Sequence, residues 1–207
     1  MQLRWQADAL DAFLYEPVNN RLRVSHAALL SPLFHPASAE LRQANYGGLG
    51  AAFMANVLRM YTAPDEEIDA DILPEPWANF TSLAAQRARI LNCSTELLSN
   101  LRDVAALGIA WQALKASNSS RFDGGQSSAG AGLYIADGDS RHYYSGDQLF
   151  FLTYCLSRCE EDVRLHRPRG PGCNAAVRGV RDFGSVFQCR KGTPMVPSES
   201  CDITQVL

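Results

Sequence analysis

Four histidines and six cysteines are the side chains of this chain best suited to chemistry at neutral pH, and their spacing excludes the uses they most often serve. No two of His26, His35, His142 and His166 have helical ligand spacing, so no helix offers two imidazoles to one metal from a single face. None of Cys93, Cys155, Cys159, Cys173, Cys189 and Cys201 stands in a C-x-x-C zinc or redox arrangement. The acidic stretch from Thr62 to Pro76 (Asp65, Glu66, Glu67, Asp69, Asp71, Glu75) lacks the glycine and regular ligand spacing of a calcium loop and reads as a solvated segment. What remains is a pair of polar residues in an apolar setting. Asn56 and Arg59 interrupt Asn45–Tyr61, in which Ala51, Ala52, Phe53, Met54, Ala55, Val57, Leu58, Met60 and Tyr61 are all apolar or aromatic.

That stretch predicts a turn punctuated by Gly47, Gly48 and Gly50, opening a helix buried on all sides. An arginine is always charged, and a buried charge persists only when it is paired. A carboxylate is therefore expected beside Arg59.

The same residues carry a resemblance. Asn45-Tyr46-Gly47-Gly48-Leu49-Gly50 resembles the lead-in to the zinc helix of the neprilysin / endothelin-converting-enzyme family of zinc metalloendopeptidases. In that family the next turns carry H-E-x-x-H, two zinc-binding histidines and a general-base glutamate. Here the five positions are Ala55, Asn56, Val57, Leu58 and Arg59. Alanine has no lone pair for zinc, and arginine repels a cation. Asparagine cannot take a proton from water, and loss of a general base alone costs about 10²–10⁴ in rate.

Further matches extend the resemblance over nearly the whole chain. The segment Ser99 to Leu107 is similar to the family's E-N-[IL]-A-D-x-x-G-L, placing Ser99 where the third zinc ligand stands and retaining Asp103, which in the family orients the first histidine. With no imidazole to orient, Asp103 is expected to pair with Arg59. Gln148-Leu149-Phe150-Phe151-Leu152 resembles the family's Q-L-F-F-L helix, and Phe187 to Pro197 with Cys201 resembles its C-terminal F-x-C-x-x-[GN]-x-x-M-x-P…C. Upstream of that match, Arg169 takes the place of a transition-state histidine and Ala176 that of a substrate-binding arginine, with His166 and Arg178 at the wrong offsets. Asp11-Ala12-Phe13-Leu14-Tyr15 matches the strand whose Asn and Ala hold the substrate backbone, which makes Asp11 and Ala12 candidate substrate contacts. The resemblance implies a Cys93–Cys201 disulfide. It places the partners of Cys159 and Cys189 in an N-terminal region that has no counterpart here, and leaves Cys155 and Cys173 as additions.

Stepping outward to the elements, Trp5–Tyr15 and Leu22–Leu30 read as extended segments flanking a turn at Glu16–Asn20. A helix is expected over Asn79–Leu91. Another follows Ser94, with Leu97, Leu101, Val104, Ala105, Gly108 and Trp111 in one stripe. A Gly/Ser-rich stretch begins at Asn118, and a flexible loop is expected over about 118–146.

Composition sets the remaining bounds. A net charge of -3 gives no basic footprint for nucleic acid, and no apolar run is long enough to span a membrane. No signal peptide is legible, so a complete chain is expected in the cytoplasm. The family resemblance, the cysteines and the sequons at Asn79, Asn92 and Asn118 instead suit an extracellular or cell-surface protein, a piece of a longer ectodomain. The expectation is one domain over 1–207, mainly α (α+β): a thermolysin-like metallopeptidase lobe with a small N-terminal β element, incomplete relative to the family. Its catalytic positions (Asn56, Arg169) and ligand positions (Ala55, Arg59, Ser99) are degenerate. The implied function is an inactive peptidase homologue, without zinc, that binds peptides or a partner chain. The alternatives are an active zinc metalloendopeptidase and a truncated product without selected function.

Overall fold

A computed structural model describes residues 12–16, 19–36, 41–59, 101–119, 132–137, 140–158, 161–162, 167–168 and 173–197. The described part is mainly helical, with small antiparallel β elements. The first is a hairpin of β1 (Phe13–Glu16) and β2 (Arg21–Val24), in which Phe13 faces Val24 and Glu16 faces Arg21. The strand stops at Val24. Ser25 caps a 3₁₀ turn over His26–Leu29, its hydroxyl accepting from the Ala27 N–H at 3.2 Å, so Leu22–Leu30 is not a single extended segment.

The glycines do not open the central helix with a turn. Short α1 (Arg42–Asn45), a π-helical turn (Tyr46–Gly50) and α2 (Ala51–Arg59) form one continuous helical run. Close approach is the reason for glycine. A Cβ on Gly47 would fall inside the Phe150 carbonyl, and one on Gly48 would lie 2.6 Å from the Leu33 oxygen. The Leu49 N–H donates to that same Leu33 oxygen at 2.9 Å. Nearby, Asn45 grips the His35 backbone from both sides, accepting from its N–H at 2.8 Å and donating to its carbonyl at 3.0 Å.

Helix α2 is not buried on all sides. Ala51 and Leu58 are buried, Ala52 and Met54–Val57 are half-buried, and Phe53 is 42% exposed. Apolar composition fixed the wish to be covered but not the number of neighbours, and α2 packs along one principal partner, α3 (Leu101–Ser119). The expected stripe is present in α3, where Val104, Ala105, Gly108 and Trp111 are buried. So are Ala106, Leu107, Ala110 and Leu114, because α3 is covered all round over residues 104–108, whereas Gln112, Ala113, Lys115 and Ala116 are exposed further along. The Asn79–Leu91 helix, Ser94, Leu97 and the acidic stretch lie outside the described residues.

Within the stretch read as a loop, β3 (Gly132–Asp137) and β4 (Ser140–Ser145) form a second hairpin. Cross-strand pairing of Tyr134 with Tyr143, ring centroids 5.1 Å apart, holds it together on a largely exposed surface. Helix α4 (Gly146–Ser157) follows directly. Ser145 and Gln148 close a reciprocal capping box, each satisfying the other's backbone N–H. Its Phe150 and Phe151 are buried against Trp111, centroids 5.0 and 4.9 Å away. Two residue pairs, β5 (Glu161–Asp162) and β6 (Arg167–Pro168), make a third small ladder. Helix α5 (Asn174–Arg178) then returns Ala175, Ala176 and Val177 to the core. Helix α6 (Phe183–Val186) adds Phe183 beside Phe151, and Asp182 accepts from the Trp111 indole N–H at 2.8 Å. A disulfide joins Cys155 of α4 to Cys173 before α5, giving the two additional cysteines each other as partners.

Candidate functional site

The positions matching the zinc motif lie on α2, against the first turns of α3. Ala55 is half-buried and packs on the core cluster. The Asn56 amide turns back on its own helix, donating to the Ala52 carbonyl at 2.9 Å. A polar residue in an apolar helix is thereby satisfied locally. Arg59 closes α2, its side chain lying outside the described residues.

The expected pairing of Asp103, in the first turn of α3, with Arg59 falls on a side chain outside the described residues. The Asp103 carboxylate pairs with Arg158 at 2.5 Å, the residue that caps the C-terminus of α4. The packing explains this pair. The end of α4 is brought to the start of α3, and a guanidinium there also offsets the partial negative charge of the α4 carbonyls. The Arg158 guanidinium carbon sits 5.6 Å from the Tyr154 ring centroid, one helical turn back. Burial pushes the Tyr154 phenol up to about 12, with Arg158 pulling the other way and Asp103 adding to the rise. Burial also opposes the charge of Arg158, but the attraction of Tyr154 and Asp103 outweighs it and holds the guanidinium above its ordinary range. Neither group changes protonation near neutral pH, so neither is a general acid or base there.

Whether these residues fit a catalytic zinc can be judged from their donors. Alanine supplies none, the Asn56 amide is spent on Ala52, and Asp103 is held by a cation. Among the described residues no three of His, Cys, Asp and Glu come together. The set does not fit zinc, whose catalytic sites take three protein ligands and a water.

The other sequence candidates are dispersed. Ala176, in the place of a substrate-binding arginine, is buried in the core and has no route to a ligand. Ala12 lends its carbonyl to the Ser25 N–H at 3.1 Å, inside the hairpin. Asn118 lies at the far end of α3 and accepts from Arg42. Asp11, Asn79, Asn92, Cys93, Ser99, His166, Arg169 and Cys201 lie outside the described residues. Arg158 and Tyr154 were missed. Their i, i+4 spacing at the end of an apolar helix was the available signal, but nothing in the spacing connects Arg158 to Asp103, 55 positions away.

A second concave feature lies on the other side of α2. Phe13, Val24, Leu29, Tyr46, Leu49 and Phe53 line an apolar groove of about 380 Å³ between the first hairpin and the helical run. Phe53 is about 200° round the helix from Ala55, so this groove and Ala55 face apart, while Asn56 stands only about 60° from Phe53. Asn45, which also lines it, is already engaged with the His35 backbone.

With this geometry in hand, the comparisons with known proteins are specific. The model of Peptidase family M13 matches residues 71–203. The chain is 23% identical over 241 aligned positions to Neprilysin-1 of Caenorhabditis elegans, an alignment covering 96% of this chain and 31% of that protein. It thus spans about a third of the length of that curated relative. No solved structure matches.

Proposed function

Because the chain belongs to Peptidase family M13 while Ala55, Asn56 and Arg59 stand at its zinc-motif positions, we propose that it is an inactive relative of the family's peptidases that binds a peptide or a partner protein. One observation carries the reading. Where the resemblance puts an aspartate that orients a zinc-binding histidine, Asp103 is paired with Arg158. A fixed guanidinium replaces the electrostatic partner that a metal-bound imidazole would supply, and it can neither polarise a carbonyl as a Lewis acid nor generate hydroxide. Ser99 and Arg169 fit the same reading as a weak ligand and a displaced catalytic position.

What is left for binding is surface. The hairpin's β1 and the apolar groove beside it offer backbone groups and a lining suited to extended, apolar peptide. An extracellular or cell-surface setting is part of the proposal. The Cys155–Cys173 disulfide supports it, since such bonds persist in oxidising compartments, and Cys93 with Cys201 would add a second. Among the described residues no helix is long and apolar enough to cross a membrane.

The test is metal analysis of purified protein alongside hydrolysis of a mixed peptide library with and without a chelator. The expected result is far less than one zinc per chain and no chelator-sensitive cleavage. One tightly bound zinc per chain, or cleavage that the chelator abolishes, overturns the proposal.

A further inference from the structure

We propose that the outer face of the β3–β4 hairpin binds a glycan through a glucuronate-type sugar, the ring stacked on Tyr134 and Tyr143 and the carboxylate held by Arg141. The strand register brings these side chains together. Tyr134 pairs with Tyr143 and Ala136 with Arg141, so the four share one face, with the Gly132–Ser145 pair at its inner end. Leu133 and Tyr144, on the opposite face, are half-buried, whereas Tyr134 and Tyr143 are 68% and 49% exposed. Holding the hairpin together does not require rings so open, because a cross-strand pair stabilises through the surface its members cover on each other. A Cβ on Gly132 would fall on the phenol end of Tyr143, so this ring leans along the sheet onto bare backbone and turns its other side to solvent. The Tyr134 ring is tilted 55° to it, and the two make the floor and wall of a shallow notch.

The chemistry of the notch selects its ligand. An aromatic face is electron-rich and attracts the electropositive C–H bonds on the flat side of a sugar ring. Arg141 lies two residues from Tyr143 along the same face, about 7 Å away. It is exposed, no ion pair among the described residues engages it, and the residues that share its face include no acid. A guanidinium grips a carboxylate through two parallel N–H bonds, and Ala136 opposite is too small to cover it. An equatorial carboxylate, as in glucuronate, lies in the plane of the stacked ring and projects toward Arg141; an axial one, as in sialic acid, points off that plane. Size argues against larger partners. The face is about 14 Å long and about 5 Å from strand to strand, against the roughly 800 Å² that a stable protein interface takes from each partner. One cation is too few for a nucleic acid, whose affinity comes from many phosphate contacts.

The experiment is saturation-transfer NMR on the full chain with an unsulfated glucuronate-containing tetrasaccharide, a neutral N-acetylglucosamine tetramer and sialyllactose as separate probes. The expected result is a dissociation constant of about 1 mM for the glucuronate sugar, with its ring C–H protons most saturated, and binding of the other two about tenfold weaker. Arg141→Gln should reduce the glucuronate sugar to the affinity of the neutral one. Tyr134→Leu, which keeps an apolar cross-strand contact but removes the aromatic face, should weaken it by about three- to tenfold. Both variants should retain the wild-type circular dichroism spectrum. Wild-type protein that transfers no saturation to the glucuronate sugar, equal binding of the neutral or sialylated probe, or an affinity unchanged in either variant each overturns the inference. Neither zinc content nor peptide cleavage enters these outcomes, so this inference and the proposed function can fail separately.

Discussion

Replacing Asp103 by Asn and Arg158 by Met, singly and together, tests the electrostatic account of the site most directly. With N and O 2.5 Å apart, the charge centres lie near 4 Å, a separation worth about 4 kcal/mol at an effective dielectric of 20. The full amount is not available. The Arg158 side chain is 38% exposed and that of Asp103 27%, so solvent screens the pair and each partner retains part of its hydration when the other is lost. Stacking on Tyr154 restrains the arginine and lowers the entropy of holding it in place. The expected coupling is about 1 kcal/mol, at the upper end for accessible pairs. Urea denaturation of the four proteins gives the number, and repeating it in 1 M salt should shrink it by roughly half or more. Additive single effects, or a coupling indifferent to salt, would refute the reasoning. A parallel cycle of Asp103→Asn with Arg59→Met sharpens the result, because coupling there and none with Arg158 would restore the pairing read from the sequence.

Two further outcomes follow from the packing. The unfolded chain releases the Tyr154 proton near 10.0 and the folded chain near 12, so between those values the folded state binds more protons. Stability attributable to this group is therefore complete below pH 10 and falls as pH rises toward 12, with a slope of at most about 1.4 kcal/mol per pH unit. Thermal melts across that range should show the decline, and Tyr154→Phe should remove it. In the helical run, Gly47→Ala drives a methyl into the Phe150 backbone and should destabilise by about 2 kcal/mol or more. Gly50→Ala, with its nearest atom 3.7 Å away, should instead be neutral or stabilising by up to about 1 kcal/mol through helix propensity. Equal losses at the two positions in a denaturation series would contradict this account.

Local patterns were legible where one segment determines its own structure. The Gln148–Leu152 helix is present and buries Leu149, Phe150 and Phe151 while leaving Leu152 exposed, and the stripe on α3 lies inside the core. The resemblance read from the motifs named the family to which the chain belongs. Relations between segments were not legible. Asp103 and Arg158 meet only because α3 and α4 converge at one end, and no periodicity encodes that convergence. Glycines at 47 and 48 signal a turn in a sequence because loops are where glycine most often serves; here the need is a neighbouring backbone, which a single sequence does not display. The β3–β4 hairpin was hidden by the Gly/Ser-rich residues before it, although Asp137-Gly138-Asp139 between two short β-forming runs was the signal to weigh.

The approach of Gly47 to the Phe150 carbonyl sets this junction apart from the rest of the interior. Where Trp111, Phe150 and Phe151 interlock, a lost methylene can be refilled by a neighbour, and changes can be made in compensating pairs. Main chain against main chain admits no such trade, since neither side has an atom to give up. The spacing of these two helices, like the approach of Gly48 to the Leu33 backbone, is consequently a dimension of the fold that repacking cannot adjust.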